Sequence, residues 1–117
     1  MRHLVIYREE PAQAAAIPPP MLIECVEATA HWLTEIRKSG KATDAGFMSG
    51  VHGGYAIFDT NSGGELADLV DACPARPFCS VEVFPLMTVE ESLPVLGKAK
   101  QRIGQMMQQL AKLGPPR

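Results

Sequence analysis

The 117 residues include 11 basic and 13 acidic side chains, a formal net charge of −2, with 46% hydrophobic and only 6% aromatic residues. That length suits one domain with one core. The even charge balance argues against a nucleic-acid partner, which needs a basic surplus on one face, and no apolar run reaches the roughly 18–20 residues that cross a bilayer.

The opening segment MRHLVIYRE carries charge at both ends of a short apolar stretch, Leu4 to Tyr7. A secretory leader needs a longer apolar region and a small-residue cleavage site, so a cytoplasmic protein is expected. Cys25, Cys73 and Cys79 form no CxxC pair and are expected as reduced, packed thiols.

Along the chain, Leu4 and Ile6 alternate with His3, Val5 and Tyr7, a period of two that predicts a first strand. EEPAQAAAIPPP reads as a linker made stiff by Pro18 to Pro20. A helix is expected from about Met21 to Lys38, with Leu22, Cys25, Val26, Leu33 and Ile36 as its apolar stripe. Thr29 fills a gap in that stripe, where its hydroxyl can bond back to the preceding turn. Gly40 supplies the stop.

Lys41 to Ser49 predicts a second strand, Gly50 to Gly54 a turn, and Tyr55 to Asp59 a third strand. Ser62 and Glu65 have the spacing of a capping box ahead of a short helix with Leu66, Leu69 and Val70 inside. Pro74 and Pro77 bound a rigid loop before a fourth strand, Ser80 to Phe84. Thr88 and Glu91 repeat the capping spacing, but a proline deep in a helix loses a hydrogen bond. Because of Pro94, a short turn is expected first. A long helix then starts near Ser92 or Leu93 and runs to Leu113, stopped by Gly114-Pro115-Pro116. Its apolar side is Leu96, Ile103, Met106, Met107, Leu110 and Leu113.

Strand, helix, strand, strand, helix, strand is the split βαβ order. The expected class is therefore α+β, a ferredoxin-like βαββαβ fold with an antiparallel sheet, in one domain over residues 1–117. Its core spans about 1–87 and a helical extension 88–117. Both helices would cover one sheet face and leave the other needing a mate. A second copy is the usual solution, giving a dimeric α/β barrel with a pocket between two sheets.

Alternation then assigns Leu4, Ile6, Val81 and Val83 to the helices. It assigns His3, Tyr7, Ser80, Glu82 and Phe84 to the bare face, with Tyr55, Ile57 and Asp59. The first and fourth strands are neighbours in this topology, so His3 and Glu82 are expected to approach. A histidine, a carboxylate and tyrosines around an apolar pocket suit proton transfer on a small molecule.

His52, flanked by glycines in the turn, is a second proton-transfer candidate. Tyr7, Phe47, Phe84 and Asp44 are the candidate substrate contacts. His31, beside Trp32, reads as surface or interface. No histidine pair has metal-ligand spacing, and the methionines read as packing, so neither metal nor cofactor is expected. Gly50, Gly53, Gly54, Gly63 and Gly64 lack the spacing of a phosphate loop, a dinucleotide fingerprint or a nucleophile elbow.

The stretch GVHGGYAIFDTNSGGELADLVDACPARPFCSVEVFPL, Gly50 to Leu86, resembles the muconolactone isomerase family. The resemblance rests on the glycine turn, Phe58-Asp59 ending a strand, Pro74-Ala75-Arg76-Pro77-Phe78, and Val81-Glu82-Val83. The family's second strand is rich in Trp, Arg and His, whereas this chain has Thr43, Asp44, Ala45, Gly46, Phe47 and Met48 there. The resemblance implies a ferredoxin-like subunit, dimer pairing within a larger homo-oligomer, and a cofactor-independent proton shift on a small lactone.

The expected function is thus an isomerase or cyclase acting on a small lactone or aromatic-derived molecule, in aromatic degradation or specialised biosynthesis. His3, His52, Tyr55 and Glu82 would carry the proton chemistry. The alternatives are a cofactorless monooxygenase of the same barrel fold, and a non-catalytic ligand-binding or assembly protein whose last helix docks on a partner.

Overall fold

Strand β1 (Arg2–Glu9) lies between β3 (Gly53–Asp59) and β4 (Cys79–Leu86), and β2 (Ala42–Phe47) borders β3, giving the antiparallel order β2-β3-β1-β4. The helices are α1 (Pro11–Ala15), α2 (Pro19–Lys38), α3 (Gly63–Asp71) and α4 (Val89–Lys112). A computed structural model describes residues 1–114 of the chain. The fold is ferredoxin-like. Two compact units divide the chain, Met1–Leu86 and a second beginning at Met87. Among the described residues no helix is long and apolar enough to cross a membrane.

The register decides which side chains are inside. Val5 faces Ala56 and Val83, and Tyr7 faces Gly54 and Val81 across the two ladders. Val5, Tyr7, Ala56 and Phe58 are buried in one cluster with Leu33 and Ile36 of α2 and Leu69 and Val70 of α3. Trp32 meets Phe58 edge-on, with ring centroids 6.2 Å apart. The helix-covered face of β1 is therefore that of His3, Val5 and Tyr7, the reverse of the expectation.

Both sides of β1 are apolar, so alternation reveals two faces without saying which is covered. The neighbouring strands choose. Ala56 and Phe58 interlock with Val5 under the helices, while Leu4 and Ile6 share the other face with Ile57, Tyr55, Phe84 and Glu82. His3 lies opposite Phe58 and Pro85, and Glu82 lies opposite Ile6. The two lie on opposite faces of the sheet, and the expected meeting of His3 with Glu82 does not occur.

The helix starts also differ from expectation, for local reasons. Pro11 opens a short helix inside the segment read as a linker, and Pro19 and Pro20 occupy the first turn of α2. A proline there loses no hydrogen bond, because first-turn N–H groups have no helical partner. In α4, Thr88 and Glu91 form a reciprocal capping box and the helix starts at Val89. Pro94 lies inside it, leaving the Glu90 carbonyl without its helical donor at an exposed site that water can satisfy. α4 buries none of its side chains. Gly114, at φ +74, follows its C-cap, and the expected Pro115-Pro116 stop lies outside the described residues.

Candidate functional site

A cavity of about 420 Å³ opens between α2 and the helix-side face of the sheet, where the β2–β3 hairpin overhangs β1. Its apolar wall comes from Leu22, Val26 and Leu33 of α2, with Phe47 and Val51 from the hairpin and Phe78 ahead of β4. The hairpin lies close to β1 because of Gly53. A Cβ at that position would overlap the Tyr7 carbonyl oxygen and come within 2.7 Å of Met48 Cε. Gly50, at φ +83, turns the chain just before it.

His52 stands at the rim. Its carbonyl accepts from the Glu9 N–H at 2.9 Å, extending the β1–β3 ladder by one bond. Its Nδ1 lies 2.6 Å from Glu9 Oε2, with the imidazole 85% exposed and the carboxylate 19% exposed. A carboxylate holding Nδ1–H fixes the tautomer in which Nε2 carries the lone pair, the arrangement a histidine base needs.

The other polar groups of the cavity are committed to the scaffold. The Tyr7 hydroxyl donates to the Val70 carbonyl at 3.0 Å, tying β1 to α3, and burial pushes its ionisation well above the usual phenol range. The Thr29 hydroxyl donates to the Cys25 carbonyl at 2.8 Å, the back-bond expected along α2. Burial pushes the Cys73 thiol up, and the Cys79 thiol up to about 11. These are neutral thiols without nucleophilic character near neutral pH. Glu9, Glu27 and His52 are the lining residues whose ionisable heads are not tied to the scaffold, and among the described residues no Lys or Arg lines the cavity.

The opposite sheet face holds a different set. Arg8 Nε pairs with Glu82 Oε1 at 3.1 Å, and the Tyr55 hydroxyl donates to Asp44 Oδ2 at 3.1 Å. That hydrogen bond raises the Tyr55 ionisation. The Tyr55 ring lies over Gly46, where a Cβ would come within 3.2 Å of Cε1. Leu4, Ile6, Phe84 and Leu86 complete this face.

The eight candidate residues thus separate. His52, Tyr7 and Phe47 line the cavity. Glu82, Tyr55, Asp44 and Phe84 share the sheet's other face, and His3 lies on the helix side four residues along β1 from Tyr7, outside the cavity lining. Glu9 was missed. The signal was in the pairing: with Arg8 opposite Gly53, the next residue of β1 falls beside His52. No group of three or more His, Cys, Asp or Glu side chains is placed to hold a metal among the described residues.

A dehydrochlorinase has this fold. The solved structure of 5-chloro-2-hydroxyhydroquinone dehydrochlorinase from Burkholderia phenoliruptrix, in complex with 2,5-dihydroxybenzoquinone, matches with a TM-score of 0.60 and 16% identity. The match covers 78% of this chain and 98% of that one. At that identity the likeness carries the fold alone. No family model and no curated protein matches the chain.

Proposed function

We propose that this chain is a cofactor-independent enzyme that shifts a proton on a small, uncharged, oxygenated ring compound, with His52 as the base and Glu9 as its positioning residue. One observation carries the reading: the 2.6 Å His52–Glu9 pair stands at the rim of an otherwise apolar cavity. His52 Nε2 takes a proton from an acidic C–H or O–H of the bound ring, and Glu9 stabilises the imidazolium that forms. Return of that proton to another atom of the same molecule completes an isomerisation or ring closure with no net redox change.

The lining supports the substrate class. Among the described residues two carboxylates, Glu9 and Glu27, and no Lys or Arg surround the space, so an anionic ring would enter against like charge without a lysine or arginine counter-ion. The dehydrochlorinase of the same fold binds an oxygenated six-membered ring, and a cavity of about 420 Å³ is within the range that small-molecule sites occupy.

The bare sheet face would bind a second copy of the chain, as the resemblance implies; Phe84 and Leu86 are 43% and 41% exposed there. Replacing Phe84 with Glu should then lower the mass in solution, read by light scattering.

Methyl NMR of Leu22, Val26 and Leu33 tests the binding step, with hydroquinone as the uncharged probe and benzoate as the anionic one. Hydroquinone should shift these methyls, and benzoate should not. In turnover assays over uncharged hydroxylated rings and lactones, His52→Ala should lower kcat about 100-fold or more. Glu9→Gln should lower it about 10-fold while leaving KM nearly unchanged. Full turnover in His52→Ala, or methyl shifts from benzoate alone, would defeat the reading.

A further inference from the structure

We propose that α4 pairs antiparallel with α4 of a second copy of this chain. The helix runs 24 residues without burying a side chain. Leu93, Leu96, Ile103, Met107 and Leu110 follow one another along it at steps of three, seven, four and three, the seam of a heptad repeat. Each is between 59% and 63% exposed. Lys100 occupies the one seam position between Leu96 and Ile103 that is not apolar.

Two mid-helix glycines mark one edge of this seam. Gly97 and Gly104 are seven residues apart, and Ala111 continues the same row. Glycine is a poor helix former, and a Cβ at either position would meet nothing within 4 Å among the described residues. A backbone approaching from outside gives them a reason.

The repeat fits itself in one antiparallel register, centred between Gln101 and Arg102. Leu93 then lies against Leu110, Leu96 against Met107, and Lys100 against Ile103, layer by layer. On the small edge Gly97 meets Gly104, which lets the two backbones approach closely.

Charge selects this direction. The first turn carries Glu90 and Glu91 and the last turn Lys112, so antiparallel pairing puts each acidic end beside a basic one and opposes the two helix dipoles. A parallel pair would stack Lys100 on Lys100 within the seam and Glu90 and Glu91 on their own copies. The pairing is separate from any pairing through the sheet, and neither depends on the other.

Crosslinking reads the register directly, on full-length protein carrying Cys25→Ser. Mixing the Gly97→Cys and Gly104→Cys variants under mild oxidant should give the mixed disulfide, with each variant alone giving at least fivefold less. Dominant self-crosslinking of either single variant would show a different register, and no crosslink would show no close pair; either overturns the proposal.

Analytical ultracentrifugation gives a second reading. Ile103→Glu with Leu110→Glu should lower the mass at fixed concentration, and Gln105→Glu should not. Gly104→Leu should also lower it, although it favours an isolated helix. If the mass is unchanged and α4 instead binds phosphatidylserine vesicles, a membrane covers the seam and the proposal falls.

Discussion

Tyr7 lines the cavity, yet its chemistry belongs to the scaffold. Its buried hydroxyl donates to the Val70 carbonyl, so Tyr7→Phe leaves that carbonyl unpaired. The expected cost is about 1 kcal/mol of stability in urea denaturation, with hydroquinone affinity unchanged within twofold. Affinity lost by more than that would make the phenol a ligand contact. Glu82 is the converse case. A carboxylate between two valines on a strand looks catalytic in sequence, but Arg8 holds it on the far face at 3.1 Å. Glu82→Gln should leave hydroquinone binding unchanged, and a lost methyl shift would return it to the site. His52 was legible because a histidine between glycines stands out locally. Glu9 was not, because its value comes from a strand partner distant in sequence.

At the scale of elements, order and type were legible for β1, α2, β3, α3 and β4, because each carries its own period and punctuation. Ser62 accepting from the Glu65 N–H is one such signal read correctly, although Glu65 returns its bond to the Asn61 N–H rather than to the cap itself. The facing of β1 was not legible, since Leu4-Ile6 and Val5-Tyr7 offer equal apolarity and only Ala56 and Phe58 across the ladder break the tie. The hairpin that forms the site makes a sharp prediction. Gly53→Ala forces its Cβ onto the Tyr7 carbonyl and into Met48, so the β1–β3 end must move apart. The expected result is a stability loss of about 1–3 kcal/mol together with loss of the His52–Glu9 contact, seen as a changed His52 ring signal in NMR. An unchanged ring signal would show that the hairpin absorbs the methyl elsewhere.

For the molecule as a whole, the buried acids on the helix side make folding weaken at alkaline pH. Cys79 and Cys73 are buried beside each other under α2 and α3, and burial raises both thiols, Cys79 from 9.0 to about 11. A group whose folded ionisation is raised favours the native state while it is neutral in both states. Its contribution is fully present below the unfolded thiol value and is lost as pH rises through the folded one. Stability should therefore be insensitive to these thiols up to about pH 8 and fall between about pH 9 and about pH 11. The Tyr7 phenol, shifted upward by the same burial, continues the fall at still higher pH. Urea denaturation midpoints across this range measure the slope, and Cys73→Ala with Cys79→Ala should flatten it. The same slope in the double variant would move the effect to exposed lysines losing charge. The thiols would then be spectators in the core.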